Sequence, residues 1–170
     1  SMIRAVVVDD EKLVRKGFIS LIDWASFGIA IVGEAADGKS ALELLGQVEA
    51  DLLFVDITMP GMSGFDLIKQ ARHRFPRARS VVLTCHHEFE YVQEALRLGA
   101  IDYIVKTLLE IENADEVIRR IVDRYEWEQA SMLTRNEEPQ RPRLMNASTA
   151  LVFLRREADD GADPAELYRL

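Results

Sequence analysis

An apolar run that stops on an acid constrains this chain more than any other feature. In residues 51–64, DLLFVDITMPGMSG, the stretch 52–55 offers solvent no polar side chain on either face, so it reads as a strand covered on both sides of a parallel sheet. It closes on Asp56, and Pro60, Gly61 and Gly64 then mark a turn. Such a strand delivers its last side chain to the carboxyl edge of the sheet, where loops diverge and ligands bind, which makes Asp56 a candidate site residue. Near the amino terminus, residues 5–8 repeat the pattern and end in Asp9, Asp10 and Glu11. Two neighbouring parallel strands of this kind would gather three carboxylates in one pocket. Like charges so close raise one another's pKa unless a cation lies among them, and hard oxygen ligands at that density suit magnesium.

Helix-spaced apolar residues separate the strands. Val14, Phe18, Leu21 and Ile22 form one face over residues 11–22, and Ala41, Leu44, Leu45 and Val48 form another after the Asp37-Gly38 turn. Residues 29–34 are the strand between them, with Trp24 and Phe27 as a plug over the end of the first helix. Beyond the central strand, a helix begins around Ser63 to Asp66 and runs to Arg74, with Phe65, Ile68 and Ala71 inward and Pro76 ending it. A strand at 80–84, a helix at 87–98 closed by Gly99 as a left-handed cap, a strand at 101–105 and a helix from Glu110 onward complete the pattern. Five strand–helix alternations predict an α/β chain: a doubly wound (βα)5 fold with a five-stranded parallel sheet.

The last helix overruns the needs of that fold. Ile111, Ala114, Ile118, Ile121, Tyr125 and Met132 keep a period of about 3.5 residues, interrupted by Glu128, which leaves both a pairing helix and a solvated extension open. Residues 134–143, TRNEEPQRPR, read as a linker. Further on, Leu151 and Leu154 mark a short amphipathic helix. Asp163-Pro164-Ala165-Glu166 announces another, with an N-cap, a proline at the first helical position and a capping-box Glu. The expected organisation is a domain at 3–125, a helix extension and linker at 126–143, and the start of a helical carboxyl-terminal region at 144–170 that continues past Leu170. Ser1 ahead of Met2 reads as a remnant of tag removal.

Charge and cysteine content act as exclusions. With 21 Lys and Arg against 29 Asp and Glu, a net charge of −8, the chain is poorly suited to gripping nucleic acid phosphates, so any DNA contact is expected from another domain. Cys85 is the single cysteine, which excludes an intramolecular disulfide. No apolar run reaches the roughly 18 residues of a membrane span and no signal-peptide pattern opens the chain, so a soluble, cytoplasmic protein is expected.

Asp9, Asp10, Asp56, Thr84, Tyr103 and Lys106 stand in the sequences VVVDDE, VDITMPGMSG, VVLTC and DYIVKT. With these in place, residues 3–125 resemble the receiver domain of bacterial two-component response regulators. The wording IDW, GEAADG and EFEYVQEALRLGA is similar to YesN-like regulators, which carry an AraC-type helix-turn-helix output domain. The resemblance implies a flavodoxin-like receiver fold and a phosphorylation switch. Asp56 would take a phosphoryl group from the phosphohistidine of a sensor histidine kinase. Asp10, Asp56 and the backbone carbonyl of Thr58 would bind Mg2+ directly, and Asp9 through water. Lys106 and Thr84 would meet the phosphoryl oxygens, and Tyr103 would swing as Thr84 moves, changing the surface of helix four, strand five and helix five. The resemblance further implies a homodimer on phosphorylation, DNA binding only through a carboxyl-terminal domain absent from this chain, and a phosphoacceptor rather than an enzyme.

Singly, these residues have plainer readings: Asp9 and Asp10 as helix caps, Lys106 as a surface lysine, Tyr103 as an edge-strand aromatic, Thr84 as a polar strand end. Two departures from the family pattern matter. Lys106 is followed by Thr107 where the family has proline; a cis bond costs about 3–4 kcal/mol before threonine against roughly 0.5–1 before proline, so a trans bond and a reshaped loop are expected. Cys85-His86-His87 invites a zinc reading, but three adjacent residues rarely face one metal and no second cluster completes four ligands. Gating of access to Asp56 by these bulkier side chains is a further reading. The departures motivate an alternative function, a receiver that binds partners without phosphorylation. A haloacid-dehalogenase-type phosphatase would want a second Asp two residues after the first, where Thr58 stands.

Overall fold

The computed structural model describes residues 1–85 and 89–137. Five strands, β1 (Ile3–Val8), β2 (Ile29–Ala35), β3 (Leu52–Asp56), β4 (Arg79–Thr84) and β5 (Asp102–Val105), form one parallel sheet in the order β2-β1-β3-β4-β5. Helices α1 (Lys12–Leu21), α2 (Gly38–Leu45), α3 (Gly64–Arg74), α4 (Phe89–Arg97) and α5 (Ile111–Glu137) alternate with them. This is the doubly wound (βα)5 fold expected from the alternation. Residues 1–130 form one compact unit; Ser131–Leu170 are grouped apart from it.

The pleat sends alternate residues of the inner strands to opposite faces, and both faces are covered. Val6, Val8, Leu53, Val55 and Val82 pack with Leu42, Leu45, Leu67 and Ile68 on the side of α2 and α3. Ala5, Val7, Leu52, Phe54, Val81 and Leu83 pack with Phe18, Ile22, Ala114, Ile118 and Ile121 on the side of α1 and α5. Trp24, in a short 3-10 turn, joins this second layer as the expected plug: its ring lies 5.4 Å from both Phe18 and Phe54, and its Nε1–H donates to the Ile19 carbonyl.

Several helix faces are rotated from their sequence-based expectation. In α2, Leu42 is buried whereas Leu44, and Val48 just beyond the helix, are half-buried. Leu67 is buried in α3 whereas Phe65 is half-buried and turns to Tyr91 on α4. Arg15, not Val14, is buried in α1. Apolarity says that a side chain avoids water, and the flank of a helix satisfies it nearly as well as the centre. Ile111, expected on the inward stripe of α5, is 80% exposed, because burial against the sheet starts only at Ala114; Met132, expected on the same stripe, is 42% exposed. The helix also continues through residues 134–137, which were expected as linker; no proline or glycine interrupts it before Pro139. Gly99 has φ 105°, the left-handed region expected of a cap. Residues 86–88, where the fourth helix was expected to begin, and 138–170, with most of the expected linker and the carboxyl-terminal helices, lie outside the described residues. No described helix is long and apolar enough to cross a membrane.

Candidate functional site

Strand pairing builds the site. Val8 is in register with Val55, so Asp9 and Asp56 leave adjacent strands at the same carboxyl edge. The ladder continues briefly beyond them: the Asp9 N–H donates to Ala35 and the Ile57 N–H to Leu83. Asp10 follows, partly exposed, and one carboxylate oxygen from each of Asp9, Asp10 and Asp56 lies within 4.8 Å of the others. Helix α3 is capped by Ser63, whose Oγ accepts the Asp66 N–H, and starts directly against the end of β3. A Cβ at Gly64 would collide with the Asp56 carbonyl oxygen and reach within 2.7 Å of the Ile57 Cα, so only glycine allows this approach.

Lys106 enters from the end of β5. Its ammonium donates to Asp9 Oδ2 at 2.8 Å and stands 3.5 Å from Asp56 Oδ1. No cis peptide bond occurs among the described residues, so Lys106–Thr107 is trans, as the cost before threonine predicts. The loop is a 3-10 turn, Lys106–Leu108, tied to the end of β4 by a hydrogen bond from Thr107 Oγ1 to the Cys85 carbonyl.

The charges are unevenly balanced. Burial pushes the Asp56 carboxyl up to about 6; the Lys106 ammonium pulls it down, while Asp9 and Asp10 push it up again. Burial alone would lower Lys106, but its hydrogen bond to Asp9 and the charges of Asp56 and Asp9 hold it above the usual lysine range. Asp56 Oδ1 and Asp10 Oδ1 are both buried without a hydrogen-bond partner. Orphaned carboxylate oxygens facing one pocket are the donor set a hard divalent cation satisfies, so these residues fit magnesium.

Thr84 is buried at the end of β4, in register with Val105, and Tyr103 is half-buried, in register with Val82. Because residues 82 and 84 share a face of β4, Thr84 and Tyr103 are diagonal neighbours on the α2–α3 side. Thr58 is exposed in the loop after β3. Cys85 is a half-exposed free thiol; His86 and His87, the other members of the zinc and gating readings, lie outside the described residues.

Sequence reasoning missed Arg15 and Glu34. Arg15 is 8% exposed, and its Nη1 donates to the Asp9 carbonyl at 2.6 Å while Nε donates to Glu34 Oε1 on β2 at 2.8 Å. Lys16 holds the other oxygen of Glu34. The signal was available: Arg15 shares the 15, 18, 22 stripe with Phe18 and Ile22, where a charge needs a buried partner.

The family model described as the response regulator receiver domain matches residues 5–121. YesN of Bacillus subtilis, an uncharacterized transcriptional regulatory protein, is 32% identical over 123 residues, covering 71% of this chain but 33% of YesN, so the chain spans about a third of that relative. Among solved structures, the REC domain of AraT, a response regulator from Geobacillus stearothermophilus, is 39% identical with a TM-score of 0.68, over 76% of this chain and 99% of that one. A chain of the CheX-CheY-BeF3-Mg2+ complex from Borrelia burgdorferi is matched with 25% identity and a TM-score of 0.61, over 69% of this chain and 87% of that one.

Proposed function

Because this chain belongs to the response regulator receiver domain family, we propose that it is the phosphorylation switch of a two-component system, with Asp56 as the phosphoacceptor. Asp56 itself carries this reading: a carboxylate 3% exposed at a central strand end, with an oxygen that has no hydrogen-bond partner and a pKa raised to about 6, among two further acids and a lysine.

In the proposed transfer, an Asp56 oxygen attacks the phosphorus of a phosphohistidine on a sensor histidine kinase. The P–N bond breaks, its electron pair stays on the imidazole, and an acyl phosphate forms on Asp56. Phosphoryl transfer is governed by positioning and charge neutralisation, and the Lys106 ammonium offsets charge on the phosphoryl oxygens. Asp10, Asp56 and the backbone carbonyl of Thr58 would hold Mg2+, with Asp9 acting through water; the ion supplies further neutralisation of carboxylates and phosphoryl group. The Borrelia CheY complex, which contains BeF3 and Mg2+, supports this choice of metal. Thr84 would then bond a phosphoryl oxygen and Tyr103, its diagonal neighbour, would follow, altering the surface of α4, β5 and α5.

On this reading the chain is an acceptor rather than a turnover enzyme, working in the cytoplasm. Its output is homodimerisation and transcription control through an AraC-type DNA-binding domain, a step supported by the naming of YesN as a transcriptional regulatory protein and by the net charge of −8 here. Thr107 motivates a phosphorylation-independent interaction module, but its hydroxyl engages Cys85 and leaves the Lys106 ammonium among the carboxylates, so no observation favours that alternative. Intact-protein mass after incubation with acetyl phosphate tests the proposal. A phosphoryl-sized gain that requires both magnesium and Asp56, and is absent in Asp56→Asn, is expected. No gain from either acetyl phosphate or a cognate kinase would overturn it.

A further inference from the structure

Asp9 is held at every polar group. Its N–H donates to Ala35, its Oδ1 accepts the Glu11 N–H, its Oδ2 accepts Lys106, and its carbonyl accepts Arg15 Nη1 at 2.6 Å. That carbonyl belongs to the peptide joining Asp9 to Asp10, so whatever fixes its direction also fixes the plane from which the Asp10 side chain departs. Asp10 Oδ1 is buried without a hydrogen-bond partner, so the backbone that carries Asp10 bears directly on where this oxygen points. The other arm of the Arg15 fork is anchored to Glu34, with side chains only 10% and 29% exposed, so a partly buried ion pair between α1 and β2 sets where the guanidinium sits. Pinning α1 to the sheet needs no bond to this particular carbonyl; α1 already buries Phe18 against Phe54 and Trp24.

We propose that Arg15, oriented by Glu34, is a positioning residue that holds the Asp9–Asp10 peptide so that Asp10 faces Asp56 across the cation site. The proposal rests on the reading of the acidic cluster as a magnesium site. A planar fork serves two acceptors at once, which a lysine ammonium on a flexible stem does not reproduce. Groups that orient metal ligands typically contribute about 10–100-fold in metal affinity.

The test is calorimetric titration with magnesium chloride of the wild type, Arg15→Lys, Arg15→Met and Phe18→Leu, with thermal unfolding of each in EDTA. Both Arg15 variants should bind magnesium about 10–100-fold more weakly, and the magnesium needed for half-maximal acetyl phosphate labelling should rise by the same factor, with labelling at saturating magnesium close to wild type. Phe18→Leu loosens the same helix without touching Asp9; it should lower the unfolding temperature yet keep its magnesium affinity within about twofold. If Arg15→Met does not fold, Arg15→Lys, which keeps the buried charge, decides the matter. The proposal is overturned if the Arg15 variants keep wild-type affinity, or if Phe18→Leu loses as much as they do. A wild type that binds no magnesium overturns the reading of the acidic cluster, and this inference with it.

Discussion

The Lys106 ammonium is hydrogen-bonded to Asp9, at 2.8 Å, and not to Asp56, from which it stands 3.5 Å away. Its charge therefore restrains Asp56 without occupying the Asp56 Oδ1 lone pairs, which have no hydrogen-bond partner. That oxygen stays available while the cation stands beside it. Removing that cation has a definite sign: in Lys106→Met the Asp56 carboxyl should titrate above about 6, because the ammonium is the group that pulls it down. Carboxyl-carbon NMR titration in EDTA measures this, and a downward shift would contradict the arrangement.

Asp56 should also cost stability. A carboxyl that titrates near 6 when folded and near 3.8 otherwise binds its proton more tightly in the folded state, so its contribution is best below pH 3.8 and is lost as pH rises through 6. The full penalty is on the order of 3 kcal/mol. Asp56→Asn should therefore be more stable than wild type by about 1–3 kcal/mol at pH 8 in EDTA, with the advantage disappearing toward pH 4. Urea unfolding at the two pH values checks this. Adding magnesium should shrink the difference at pH 8, since a cation among the acids relieves the same repulsion.

Gly64→Ala should destabilise the fold by about 3 kcal/mol or more. The added methyl meets backbone of residues 56 and 57 rather than a side chain that can swing aside, so α3 must shift away from β3. A parallel fall in acetyl phosphate labelling is expected, because Asp56 lies on the strand end being displaced. An unchanged urea midpoint would mean that this approach is looser than described.

Phe54→Ala should cost about 3–5 kcal/mol, measured by urea unfolding. Phe54 is fully buried at the centre of the sheet and meets Phe18 at 5.5 Å and Trp24 at 5.4 Å, so its loss leaves a cavity bounded by two rings that packing elsewhere holds in place. The accompanying change in Trp24 fluorescence is a local readout of the same event.

The strands and the acids at their ends were legible because a central parallel strand buries every residue. Composition alone then marks residues 52–55, and the first acid after the run marks the edge. The burial of Arg15 could be read from its stripe, but its partners could not, for the opposite reason. Its partners are a main-chain oxygen six residues away and a carboxylate on strand β2, and a sequence lists side chains without saying where carbonyls point. Gly64 was read as a turn former, whereas its need is steric and lies in the neighbouring strand. Leu42 and Leu44 are equally apolar, and only the crossing of α2 over the sheet decides that Leu42 is the one buried.

Strand order has a consequence for motion. With β1 and β3 paired on both sides and β5 paired on one, the ladder that carries Asp9 and Asp56 cannot open until its neighbours have come away, whereas the strand that carries Tyr103 and leads to Lys106 can fray by itself. Amide hydrogens of residues 53–55 should then exchange with solvent far more slowly than those of 103–105. The proposed phosphoacceptor is anchored in the last part of the molecule to melt, and the groups proposed to respond to it sit where the molecule gives way first.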